Sequence, residues 1–239
     1  MTENDEEGTE YEYLEDIYVE DIGLTWVTSK WDIPVALSPE DAERHLPKGG
    51  PVEFWLELPE TAVEDFDRSH ACQLGQDVRR LSESTLPDET IRTVWLGATH
   101  GCFDPAGHGM DARTWLRRIE DAWLAAVRRS HPAFVPSPPR PVTDEGLRQA
   151  VLQVIRPVAN DLTRAVTIPK YGSPLPGLVP SLEQVVTQAC ADLGYRLFLR
   201  AMKAYFVEID KNSRDAFIAL GKRFGYPEFL VGNNLNHQE

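Results

Sequence analysis

Between His131 and Pro141 the chain reads HPAFVPSPPRP, five prolines in eleven residues. Proline lacks an amide hydrogen and fixes φ, so neither a helix interior nor a central strand passes through such a stretch. Residues 132–142 therefore form extended, polyproline-like chain, either a linker between domains or a strap laid over the surface. They divide the 239 residues into two parts of different pattern.

The first part reads as mixed. Residues 24–29, LTWVTS, suggest a short strand. Val52, Phe54, Leu56 and Leu58 alternate with Glu53, Trp55 and Glu57, as a half-buried strand does. Residues 91–98, IRTVWLGA, suggest a more central strand. Ser38-Pro39-Glu40-Asp41 has the form of a helix start, and 60–67 and 74–82 read as short helical segments. Residues 112–130 form the strongest helix, with Trp115, Leu116, Ile119, Ala122, Trp123, Ala126 and Val127 on one stripe.

Beyond the prolines the pattern is helical. Helices are expected from Thr143 to about Arg156 and over 158–168. A third runs from a capping box at Ser181 and Gln184 toward Ile209, with Gly194 as a point of breakage. Ser213 caps a last one, which Gly225 ends and Pro227 confirms. The expected fold class is α+β, with a small mixed β-sheet and helices in the N-terminal half and a helical bundle in the C-terminal half. The expected units are an acidic arm (1–23, with 1–9 disordered), an α+β domain (24–131), the linker or strap (132–142) and a helical domain (143–239).

Charge is unevenly spread. The formal charge is −14, and the first 29 residues carry ten acids and no base. Residues 30–143 hold 13 bases and 18 acids, and residues 144–239 hold 11 bases and 10 acids. The arm is thus acidic against both remaining parts, and a local charge block reads as a partner-facing or self-docking device. Its inner section interleaves Glu10, Glu12, Glu15 and Asp16 with Tyr11, Tyr13 and Tyr18, which supply contact area as well as charge. A sequence pI near 4.9 argues against direct, general binding of nucleic acid, which needs clustered Lys and Arg. No apolar run is long enough to cross a bilayer, and the N-terminus lacks the features of a secretory signal. Three cysteines, Cys72, Cys102 and Cys190, make no disulfide framework, so a reducing, cytoplasmic setting is expected.

The densest group of chemically capable side chains is THGCFDPAGHGMD, residues 99–111. His100, Cys102, Asp104, His108 and Asp111 lie there among three glycines. Imidazole, thiolate and carboxylate at this density are zinc-ligand chemistry, and His70-Ala71-Cys72 repeats the His-x-Cys spacing of His100-Gly101-Cys102. A tetrahedral site from His70, Cys72, His100 and Cys102, or one from His100, Cys102, Asp104 and His108, needs those side chains to converge. His100, Cys102 and His108 are also the candidates for metal-free catalysis, with Cys102 as nucleophile and a histidine as base. The competing reading is a glycine-rich loop whose polar residues make turns and caps, with Asp111 as the N-cap of the next helix.

Two further charged groups stand out. Glu60, Glu64 and Asp67 share a helical face as paired carboxylates or as a solvated surface. Arg113, Arg117, Arg118, Arg128 and Arg129 are a solvated face, an anion site or a receptor for the chain's own acidic arm. No Walker, Rossmann or nucleophile-elbow motif is present. The sequence favours a non-catalytic interaction protein, an adaptor, inhibitor or immunity-like factor, that engages a basic protein partner and needs no cofactor. A metal-dependent hydrolase centred on 99–111 and a structural subunit meeting other subunits of an assembly are the alternatives.

Overall fold

The computed structural model describes residues 22–32, 50–65, 68–169, 173–233 and 235–237. It is a helical protein rather than the expected α+β fold. The helices are α1 (Leu24–Ser29), α2 (Pro51–Asp65), α3 (Arg68–Ser82), α4 (Asp88–Ala98), α5 (Ala112–Ser130), α6 (Glu145–Ile155), α7 (Ala159–Thr167), α8 (Leu178–Gln184), α9 (Ala191–Ala204), α10 (Lys211–Arg223) and α11 (Glu228–Gly232). Short 3-10 turns lie at Lys30–Asp32 and Pro105–His108, and a π turn spans Val185–Ala189. The strands among the described residues are two two-residue segments, β1 (Glu208–Ile209) and β2 (Asn236–His237), paired in parallel. No mixed sheet forms in the N-terminal half of the described chain.

All three expected strands are helices, for identifiable reasons. In α2 the buried residues are Phe54, Trp55, Leu58, Pro59 and Ala62, a helical stripe at spacings of one, three and four. Val52 and Leu56 sit at its half-buried margin, so the alternation was the edge of a broad helical face. Pro51 occupies the first position, where its missing N–H costs nothing. In α4 every residue from Thr93 to Ala98 is buried, as are Thr90 and Ile91. A helix enclosed on all sides has no polar face, and period alone does not separate it from a central strand. In α1 the β-branched residues are overridden by burial of Leu24 through Thr28.

The C-terminal helices also differ from expectation in detail. Asp144, not Thr143, caps α6, and Asp210, not Ser213, caps α10 through the Ser213 N–H. Ser181 lies inside α8 rather than at its start. The expected long helix is interrupted by the π turn and by Cys190, whose backbone is extended. Val142 supports this break. It accepts from the Ala191 N–H at 2.9 Å and donates its own N–H to the Cys190 sulfur at 3.3 Å. Gly225 at φ +88 ends α10, with the Tyr226 N–H returning to the Gly221 carbonyl. The expected helix at 38–46 lies outside the described residues.

Helix α9 is the axis of the core. Of its residues all but Lys203 are buried, and it touches α1, α4, α6 and α8. Helices α2 and α3 pack on α5, where Gly75 permits close approach. A Cβ there would stand 2.4 Å from the Trp123 ring. Trp55, Trp95, Phe103 and Trp115 form an aromatic centre with ring separations of 4.7 to 6.5 Å. Helices from before and after the proline-rich stretch contribute to one continuous hydrophobic cluster. The prolines themselves lie along α3. Arg79 donates to the Ser137 carbonyl at 2.7 Å, Arg80 to the Arg140 carbonyl at 2.7 Å, and the Arg140 N–H donates to Gln76 at 3.0 Å.

Candidate functional site

Loop 99–111 joins α4 to α5, and its polar residues face different partners. His100 holds a positive φ of 53° and is buried between Trp31 and Tyr205, each ring 4.7 Å away. Burial, then the nearby Arg200 guanidinium, lowers its pKa below the ordinary histidine value. Asp104 receives Arg92 in a two-point ion pair at 2.9 and 2.5 Å and caps the 3-10 turn through the Ala106 N–H. The Arg92 hydrogen bond, with that cap, holds its pKa below the usual carboxylate value. His108 stacks on Phe103 at 5.0 Å. Asp111 caps α5 through the Thr114 N–H at 2.6 Å, as the sequence predicts. Cys102 is exposed, beside Tyr205, whose pKa burial and then Cys102 push up to about 12.

The loop therefore does not gather its candidates. Among the described residues no group of three or more His, Cys, Asp and Glu is placed to hold a metal ion. Cys72 is half-buried on α3, and the His70 side chain lies outside the described residues. Of the acidic group Glu60, Glu64 and Asp67, Glu60 pairs with Arg129, while the Glu64 side chain and Asp67 lie outside the described residues. Arg113 binds the end of α3, donating to the Ser82 carbonyl at 2.6 Å and to the Leu86 carbonyl. Arg118 and Arg128 reach the Met110 sulfur and the Phe134 carbonyl, and Arg117 is exposed.

The polar residues that do converge lie elsewhere. Arg196, in the middle of α9 and fully buried, forks onto Asp77 of α3 at 2.7 and 2.9 Å. It also meets Asp192 at 3.3 Å, one turn earlier on α9. Arg80 adds 3.1 Å to Asp77 and 3.7 Å to Asp192. Tyr226 donates its hydroxyl to Asp192 at 2.5 Å, and Gln73 donates to Asp77 at 2.8 Å. Two carboxylates thus face two guanidiniums. Burial alone would lower the Arg196 pKa, but Asp77 and Asp192 outweigh it and hold the guanidinium protonated. Burial, then Asp192, raises the Tyr226 pKa well above its usual value.

This cluster grips the root of the N-terminal segment. The Leu24 N–H donates to Asp77 at 3.1 Å, Arg196 donates to the Ile22 carbonyl at 3.0 Å, and Thr25 donates to the same carbonyl at 2.7 Å. Gly23 sits against the carboxylate at φ +60. Any Cβ there would fall 2.3 Å from the Asp77 oxygen. Beside this root opens a groove of about 450 Å³ lined by Ile22, Gln73, Val142, Asp192, Tyr226 and Leu230, among others. The partner residues predicted from sequence, Glu10 to Tyr18, lie outside the described residues.

The sequence reading passed over this cluster, though a signal for it exists. Asp192, Arg196 and Arg200 recur every four residues in the otherwise apolar run CADLGYRLFLRAM, so one charged stripe must be enclosed by a helix that is buried nearly all round. Comparison with protein-family models, with curated proteins and with solved structures finds no match to this chain.

Proposed function

We propose that the chain is a non-catalytic interaction protein whose acidic, tyrosine-bearing arm engages a basic protein partner. The carrying observation is the block of ten acids without a base in residues 1–29, joined to the body at Ile22–Leu24 by a buried ion cluster. The described root of this block, Ile22–Leu24, is fixed beside a groove. Such a block accelerates encounter with a cationic surface and sets orientation. The placement of the 99–111 side chains supports this reading, since Asp104 and Asp111 serve as caps and His100 is enclosed. A soluble, cytoplasmic adaptor, inhibitor or immunity-like factor is the class that fits, with no direct general binding of nucleic acid. Among the described residues no helix is long and apolar enough to cross a membrane.

Affinity purification of the intact chain from its native source, against a form lacking residues 1–21, tests the proposal. The deletion stops there because Ile22 and Gly23 are buried. The intact chain retains a basic partner at low salt and releases it at high salt, and the truncated chain folds but retains none. Equal retention by both forms removes the proposal.

A further inference from the structure

The proline-rich strap shows a threefold pattern of exposure. Residues 134–143 form neither helix nor strand. From Val135 to Thr143 the half-buried residues are Pro136, Pro139 and Val142, at intervals of three, and all the others are exposed. A polyproline helix has three residues per turn, so one face of the strap lies on the body and two face solvent. Helix α3 holds it in place. Gln76 donates to the Ser137 carbonyl at 3.2 Å and accepts from the Arg140 N–H, and Arg79 and Arg80 grip the Ser137 and Arg140 carbonyls.

The outer faces carry groups that this packing does not need. Val135, Pro138 and Pro141 make one apolar ridge at the same interval of three, and Val135 is exposed by 77%. The contact with α3 is met by Pro136, Pro139 and Val142, and polar residues on the ridge would hold the same extended chain in water. Single exposed apolar residues are ordinary, but three in register on a fixed ridge form a contact surface. Ser137 and Arg140 lie on the adjoining face. Arg140 makes its hydrogen bonds through its backbone, which leaves its exposed guanidinium without a partner among the described residues.

This combination identifies the kind of occupant. Prolines in an extended helix present rigid, flat rings that fit between aromatic side chains, and a strap already ordered loses little entropy on binding. An unpaired arginine beside the ridge takes a carboxylate at the edge of such a groove. Residues 128–143 contain no acid, so no carboxylate within the stretch competes for it. We propose that Val135–Pro141 is a preformed polyproline ligand for a groove on a partner protein, lined by tryptophan and tyrosine and edged with carboxylate. The strap goes beyond the basic-partner reading and stands apart from it. The arm seeks positive charge, whereas the strap seeks an aromatic groove with a negative edge.

The test titrates the full chain with a panel of isolated WW domains, whose grooves pair tryptophan with tyrosine, some with an acidic groove edge and some without. Acid-edged domains bind, and a free proline-rich peptide that fills their groove displaces the chain. Val135→Asp and Pro138→Ser alter the ridge and leave the packed face in place. Each keeps the parental urea midpoint and weakens binding about tenfold. Arg140→Glu abolishes the preference for an acidic edge. Binding by no domain of the panel, or binding that survives both ridge variants, overturns the proposal. A parental dimer that Val135→Asp dissolves also overturns it, by giving the ridge to a second copy. Domain binding that is lost on deleting residues 1–21 moves the contact to the arm and overturns the strap alone.

Discussion

Loop 99–111 and the Asp77–Arg196 cluster hold similar chemistry in opposite ways. The loop has its polar residues adjacent in sequence, and each is used apart from the others. Asp104 and Asp111 close helix ends, and His108 lies on Phe103. The cluster has its members dispersed over residues 73–80, 192–196 and 226, and brings them within hydrogen-bonding distance in the core. Density along a chain thus reports turn-forming need as readily as it reports a site. Convergence comes from helices that pack, and a buried charge set is costly enough to demand that opposite charges meet.

The largest predicted effect lies in the cluster. Arg196→Met removes the two-point partner of Asp77 and leaves two buried carboxylates with Arg80 as their remaining cation, which lowers unfolding free energy by about 3 kcal/mol, read from urea denaturation. Pairing it with Asp77→Leu recovers a large part of that loss, since both charges then go. If the double variant is no better than the single, the charges do not form a unit.

In the loop, removal of a cap has a smaller and local cost. Asp111→Ala lowers stability by about 1 kcal/mol, and its effect adds to that of Arg196→Met because the two share no partner. Non-additivity would mean that the two regions are coupled.

His100 separates the regions by pH. Its folded-state pKa lies below the unfolded value of ~6.5, so the unfolded chain takes up the proton first. The contribution is complete above that value and is lost as pH falls through the folded pKa. His100→Asn, which tolerates positive φ, should flatten the stability profile just below pH ~6.5. A slope unchanged by the substitution would assign the titration to another group. The smallest effect is that of Phe206→Gly, at φ +56 in the turn after α9. It is a gain of about 0.5 kcal/mol after the added flexibility of glycine is set against the relieved turn. A clear loss of stability would show that the ring packs on its own chain.

One helix and one helix end were fully legible in the sequence. The α5 stripe has its observed bounds because Trp115, Ile119, Trp123 and Val127 recur every four residues beside an Asp111 cap. The glycine stop at Gly225 is likewise visible. The first half misled because α4 is enclosed on all sides and α2 carries a wide apolar face, and both imitate strands over seven or eight residues. The candidate site was less legible. The pairs Asp77–Arg80 and Asp192–Arg196, at spacings of three and four, look like surface ion pairs. They are buried because the long-range contact of Asp77 with Arg196 places them face to face.

We propose that an acidic arm, rooted by that cluster, binds a basic partner. Its most direct test is the salt dependence of the dissociation constant, measured for the purified complex with the intact chain and with the chain lacking residues 1–21. The complex of the intact chain should weaken steeply with salt, and that of the truncated chain should be much weaker and nearly salt-independent. The same salt slope for both forms would contradict it.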